Sequence, residues 1–125
     1  MRLLLDTHVL LWCLQGNRRL SKAARSKLLS ASALYISSAS IWELAIKINA
    51  GKLQLDLSEL ILQIADIGML ELSISYPHAV QVKNLPRIHL DPFDRMLIAQ
   101  ATCESMTLLT ADRLLLAYSP LVVLI

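Results

Sequence analysis

The chain is short of the residues that make linkers, disulfide frameworks and zinc sites. Three glycines among 125 residues leave no Gly/Ser linker, and no repeat or low-complexity tract interrupts it. Only two cysteines are present, Cys13 and Cys103, with no metal-ligand spacing between them. A disulfide scaffold is therefore excluded, and both are expected as buried free thiols of a cytoplasmic protein. His8, His78 and His89 lack the i,i+3 or i,i+4 spacing of a zinc pair and are expected as packed or surface histidines. No apolar run reaches the ~18 residues of a membrane span. Asp6 and His8 break the N-terminal run, and the C-terminal run from Leu114 to Ile125 is short and contains Pro120. The N-terminus has neither the apolar length nor the cleavage site of a signal peptide. One non-membrane, cytoplasmic domain spanning residues 1–125 is the expectation.

What the chain does have is apolar mass. The hydrophobic fraction is 55% and the mean hydropathy +0.53. That excess reads as a sheet buried on both faces, plus an oligomer or partner surface. Twelve basic and ten acidic residues give a net charge of +2. If several acids are held at a metal site, the remaining surface is more basic, which is compatible with a phosphate-backbone partner.

Short apolar strands alternate with amphipathic helices. Arg2–Leu5 reads as a buried strand, followed by a helix over Val9–Leu14 ending near Gly16-Asn17. Ser21 caps a helix to about Ser30. Leu34–Ser37 is a second strand, and Ser38 or Ser40 caps a helix that stops at Gly51. Asp56 opens a helix through Leu60, Ile61, Ile64 and Ile67. Leu70–Ile74 alternates as a strand, and a short helix over Pro77–Lys83 follows. Asp91-Pro92 starts a helix to about Glu104. Met106–Leu109 is a strand, Ala111–Ala117 a helix and Leu121–Leu124 a last strand. This order predicts an α/β fold with a parallel sheet and helices on both faces.

Four acids stand against apolar segments: Asp6 after Leu3-Leu4-Leu5, Glu43 inside Ile41-Trp42-Glu43-Leu44, Asp94 inside Phe93-Asp94-Arg95-Met96, and Asp112 after Leu109-Thr110-Ala111. Carboxylates are rarely buried unless paired. Each of the four falls where a strand ends or a helix begins, so topology assigns them to one edge of the sheet, where such folds bind ligands. Gathered carboxylate oxygens suit a hard divalent cation. Each acid also has a plain alternative. Asp6 and Asp112 can cap helices, Glu43 can favour a helix dipole, and Asp94 can do the same or pair with Arg95. Asp91 is expected as a cap, and Asp56, Glu59, Asp66, Glu71 and Glu104 as solvated acids.

The segments Leu4-Leu5-Asp6-Thr7-His8-Val9-Leu10-Leu11-Trp12, Ser37-Ser38-Ala39-Ser40-Ile41-Trp42-Glu43-Leu44-Ala45-Ile46-Lys47, His89-Leu90-Asp91-Pro92-Phe93-Asp94-Arg95-Met96-Leu97-Ile98-Ala99-Gln100-Ala101 and Leu109-Thr110-Ala111-Asp112-Arg113 resemble, in order, those of PIN-domain ribonucleases of the VapC toxin type. The third segment is the most specific of them. The resemblance implies a PIN-like three-layer α/β/α sandwich with a mainly parallel sheet of about five strands. It implies Mg²⁺ or Mn²⁺ held by Asp6, Glu43, Asp94 and Asp112, with Thr7, Ser38 and Thr110 as polar supports. It implies hydrolysis of RNA to 5′-phosphate and 3′-hydroxyl ends, and a small antitoxin that wraps the toxin. Arg95, Lys47 and Arg113 lie close to the acids in sequence, and are read either as phosphate contacts or as ion pairs and solvated faces. Apolar surface around Trp12, Leu14, Leu20 and the Leu57–Ile67 helix is assigned to antitoxin binding or a homodimer, with ordinary core as the alternative.

Other classes fit less well. A phosphoryl-transfer receiver module would pair acids early and end a late strand in Lys, whereas Asp6 is followed by Thr7-His8. A dehalogenase-like phosphatase would carry a second Asp where His8 stands. A silent RNA- or protein-binding module has no use for four acids facing a polyanion. A non-toxin RNA-processing nuclease shares the chemistry and is the nearest rival.

Overall fold

The computed structural model describes all 125 residues. Five strands, β1 (Arg2–Leu5), β2 (Ala33–Ser37), β3 (Leu70–Leu72), β4 (Thr107–Thr110) and β5 (Val122–Leu124), form one sheet in the order β3-β2-β1-β4-β5. Every neighbouring pair is parallel. Six α-helices connect them: α1 (Thr7–Gln15), α2 (Lys22–Ser30), α3 (Ser38–Asn49), α4 (Leu57–Ile67), α5 (Tyr76–Val82) and α6 (Pro92–Glu104). A 3₁₀ turn over Arg113–Ala117 links β4 to β5.

The strand alternation of period two sorts the core into two layers. Leu3 and Leu5 face one side of the sheet, where they join Val9, Leu10, Leu28, Leu44, Leu60 and Ile64 from α1 to α4. Leu4 faces the other, with Leu97, Ile98 and Ala101 of α6 and Met106, Leu108 and Leu115. β1 lies between β2 and β4 and is buried on both faces, which is why Leu3-Leu4-Leu5 is continuously apolar. The order of strand addition reverses at β1: the first half winds outward to β3, and the second crosses back to β4 and β5. The crevice beside β1 and β4 is therefore the switch point, where ligands of such sheets bind.

Capping residues set most helix starts. Asp6, Ser21, Asp56 and Asp91 each accept a backbone N–H from the first turn of the helix that follows. Gly16 and Gly68 end α1 and α4 in the left-handed conformation, at φ 62° and 89°. The expected element order is observed, with local corrections. α1 begins at Thr7 because Asp6 caps it directly. Ser37, rather than Ser38 or Ser40, caps α3 through the Ala39 N–H at 3.0 Å. The Leu70–Ile74 strand stops at Leu72, since the Ile74 N–H turns to the Ser38 hydroxyl at 3.2 Å. The expected helix over Ala111–Ala117 is a 3₁₀ turn starting two residues later.

Burial also corrects some residue roles. Leu20 belongs to the core instead of an outer surface, and Cys103 is exposed while Cys13 is half-buried. His78 is packed as expected, its ring between the Ser75 N–H at 3.0 Å and the Glu104 carboxylate at 2.8 Å, so Glu104 is not a free surface acid. On α4, Ile61, Leu62 and Ile67 remain exposed. No helix is long and apolar enough to cross a membrane.

Because Leu4 fills the layer under α6 with no exposed surface, Leu4→Ala is expected to lower the unfolding free energy by about 2–5 kcal/mol. Urea denaturation checks this: the midpoint falls at an unchanged slope. A loss under 1 kcal/mol would contradict the central place given to β1.

Candidate metal centre

The site begins at two adjacent strand ends, one offering a carboxylate and the other a hydroxyl. β1 delivers Asp6 and β4 delivers Thr110 to the same crevice. Asp6 Oδ1 accepts the Val9 N–H at 2.8 Å, and its Oδ2 accepts the Thr110 hydroxyl at 2.5 Å. Thr110 Oγ1 in turn accepts the Asp112 N–H at 3.1 Å, which fixes the start of the next segment. Asp112 Oδ1 caps the 3₁₀ turn at Leu114 N–H, 3.0 Å away, and leaves Oδ2 turned to the site. For Asp6 and Asp112 the capping reading is thus realised by one oxygen, and the other oxygen is held by Thr110 in Asp6 and faces His89 in Asp112.

Glu43 arrives from α3. It is only 8% exposed, so it is no solvated dipole acid. Thr7 Oγ1, in the first turn of α1, donates to Glu43 Oε1 at 2.7 Å and lies 3.0 Å from Ser40 Oγ. Lys47, one turn onward, sits 3.2 Å from Glu43 Oε2. Of the two readings of Lys47, the ion pair is the one observed.

Asp94 arrives from the first turn of α6, where Asp91 caps the helix through the N–H groups of Phe93 and Asp94 at 2.8 and 3.2 Å. Burial pushes the Asp94 carboxyl up to about 6, and the negative charges of Asp91, Asp6 and Glu43 push it the same way. That coupling records the convergence: Asp94 feels Asp6 and Glu43 although they come from three separate segments. Only His89 pulls it down. Asp6 is also raised by burial, against the hydrogen bonds from Thr110 and Val9.

His89 is the residue that sequence spacing missed. Its Nε2 lies 3.1 Å from Asp94 Oδ2 and 3.5 Å from Asp112 Oδ2. A search for histidine pairs is blind to one imidazole in the loop ahead of a helix start, yet its place five residues before Asp94 was a readable signal. Ser40 was missed too, although Ser40 and Glu43 share a helix face at i,i+3. Ser38, expected as a polar support, is a correction: its hydroxyl holds Ile74 and lines an apolar cleft with Trp42 and Ile61. Arg95 corrects a second reading. Its guanidinium donates to Pro86 O at 2.8 Å, to Tyr118 Oη at 3.1 Å, and to the carbonyls of Val82, Leu85 and His89, so it is a strut of the 82–89 loop.

The structure brings donor atoms of His89, Asp94 and Asp112 within 4.8 Å of one another, with Asp6 and Glu43 outside that group but near enough for their charges to push Asp94 up. That set fits a hard divalent cation, which would offset the repulsion among the neighbouring carboxylates. The sequence profile of the PIN domain matches residues 3–119. The chain belongs to the PIN domain family. Among solved structures it resembles VapBC2 from Rickettsia felis bound to a fragment of its promoter DNA, at TM-score 0.71 and 16% identity, over 100% of this chain and 98% of that one. It also resembles a toxin–antitoxin complex from Klebsiella pneumoniae, at TM-score 0.67 and 23% identity, over 96% and 94% of the two chains. DNA-bound VapBC from Salmonella typhimurium follows at TM-score 0.68 and 15% identity, over 100% and 97%. At these identities the likeness concerns the fold, the PIN-like parallel sheet with helices on both faces. No curated protein matches the sequence.

The Asp94 shift carries a pH dependence. Between the ordinary value of 3.8 and about 6 the folded protein holds the proton more tightly than the unfolded chain. The stability tied to protonated Asp94 is therefore complete below 3.8 and lost as pH rises through 6. In EDTA, Asp94→Asn is expected to be more stable than the wild type at pH 7.5 by roughly 1–3 kcal/mol, the gain vanishing by pH 4. Thermal or urea unfolding across that range checks it, and a difference independent of pH would contradict the buried repulsion.

Proposed function

We propose that this protein is a metal-dependent endoribonuclease of the VapC toxin class, acting on RNA in the cytoplasm and silenced by a small antitoxin. The observation that carries the reading is the meeting of His89, Asp94 and Asp112 donor atoms within 4.8 Å at the switch point of a PIN domain sheet, beside the buried acids Asp6 and Glu43. Asp6, Glu43, Asp94 and Asp112 are the residues that would hold Mg²⁺ or Mn²⁺. When bound, such a cation lowers the pKa of water and offsets charge growing on phosphoryl oxygens.

The chain's own groups prepare that site. Thr110 orients Asp6, and Thr7 orients Glu43, each by a hydrogen bond that keeps a carboxylate aimed instead of free to rotate. Each carboxylate oxygen retains lone pairs beyond the bond it accepts. Lys47 tempers the negative charge at Glu43. Without a cation the same acids would repel the phosphate backbone, so the site has two states, closed to a polyanion when empty of metal and open to it when loaded. Hydrolysis at this edge would leave 5′-phosphate and 3′-hydroxyl ends.

The antitoxin and a homodimer need apolar surface, and α3 and α4 provide it. A cleft of about 360 Å³ lies between them, lined by Ile36, Ile41, Trp42, Ala45, Ile61 and Ile64. With Trp42, Ile46, Ile61 and Leu62 exposed beside it, this face supports a partner better than the Trp12 region, which is half-buried against the core.

Purified protein is expected to cleave RNA with Mg²⁺ or Mn²⁺ and to fall silent in EDTA. Asp94→Asn should lower the rate by at least about a hundredfold. Metal-independent cleavage, or full activity in the variant, would sink the mechanism. Expression in bacteria separates the toxin from a processing nuclease of the same chemistry. The wild type should arrest growth and Asp94→Asn should not, whereas harmless expression of an active enzyme favours the processing role.

A further inference from the structure

We propose that His89 is a nitrogen ligand of the metal site, making it a mixed oxygen–nitrogen centre that prefers Mn²⁺ to Mg²⁺. The inference rests on the metal-dependent reading above and adds to it a donor outside the four acids. Its first support is geometric. One atom, His89 Nε2, faces Asp94 from α6 at 3.1 Å and Asp112 from beyond β4 at 3.5 Å. The three donor atoms lie within 4.8 Å of one another. Ligands about 2.1 Å from an octahedral cation stand about 3 Å apart along each edge, so these separations suit neighbours in one coordination shell. A histidine kept only to steady Asp94 would need one carboxylate partner, whereas this ring serves two from different segments.

The second support is how firmly the ring is presented. Residue 89 lies in a loop without regular structure, yet its backbone is held at both polar groups by one side chain. The His89 N–H donates to Tyr118 Oη at 2.7 Å, and the Tyr118 hydroxyl donates to His89 O at 2.9 Å. Arg95 adds a contact to the same hydroxyl at 3.1 Å. A loop with this much support fixes the imidazole relative to Asp94, which Arg95 follows in sequence. The remaining histidines have other positions: His78 is occupied by Ser75 and Glu104, and His8 is exposed on α1.

The third support is donor chemistry. Mg²⁺ favours oxygen and retains water, while imidazole raises affinity for first-row transition ions. Mn²⁺ accepts the carboxylates and the ring together. His89 thus selects among divalent ions while the acids supply the charge.

Electron spin-echo spectroscopy of bound Mn²⁺ tests the assignment without any measurement of cleavage. The wild type is expected to show ¹⁴N modulation that disappears in His89→Gln. Mn²⁺ affinity should fall about 10–100-fold in that variant, with a smaller loss for Mg²⁺. His89→Asp, which restores an oxygen donor, should recover Mn²⁺ binding without the nitrogen signal and shows that the loop still folds. Bound Mn²⁺ without ¹⁴N modulation in the wild type, or modulation that persists in His89→Gln, overturns the assignment. If Mn²⁺ binding depends on Asp94 but shows no nitrogen, only the role of His89 fails. If the wild type takes up no Mn²⁺, this inference and the metal-dependent reading fall together.

Discussion

The hydrogen bond between Thr110 and Asp6 joins the ends of two adjacent strands that are 104 residues apart in sequence. Much of the molecule depends on it. Asp6 uses its other oxygen to start α1, and Thr110 uses its hydroxyl oxygen to start the segment carrying Asp112. One pair of side chains therefore sets a helix start, the strand-end spacing and the position of two acids. Buried polar groups in such a chain of contacts are stabilising only when each is satisfied. Here each is, and the site inherits its rigidity from the sheet's own central pair, β1 and β4.

The remaining acids are brought to this pair at an electrostatic cost. Glu43 is paired locally with Lys47, whereas burial and the neighbouring acids push the Asp94 carboxyl up to about 6 against the pull of His89 alone. A fold does not collect negative charge in a crevice without some return, since unpaired buried charge is among the most destabilising arrangements available. The tension at Asp94 comes from burial among acids that other segments bring to the same crevice. It gives the PIN domain assignment a basis in the molecule itself, apart from similarity to other proteins.

Much of this was legible in the sequence because it was written in local signals. Period-two apolar strands, Ser and Asp caps and Asp91-Pro92 gave the order of elements and the α/β class. The four acids stood out as candidates because each sat at a strand end or a helix start. What escaped was set by distant contacts. Ile74 leaves the β3 ladder because Ser38 takes its N–H, a pairing 36 residues long that no window contains. His89 failed a test for neighbouring ligands because its partners, Asp94 and Asp112, come from different elements. Arg95 looked like a phosphate contact because sequence shows its charge but not the carbonyls around it.

That arginine has a consequence for the economy of charge. A loop built around a cation is commonly anchored by a carboxylate, which would draw an acid away from the crevice or add another to it. Here the guanidinium is satisfied by main-chain carbonyls and one phenol. The adjacent residues Asp94 and Arg95 are thus electrically separate parts, one loading the crevice and the other shaping the loop that borders it. The loop takes its form from Arg95 without committing a carboxylate to it, and the one group it turns toward Asp94 and Asp112 is the His89 imidazole.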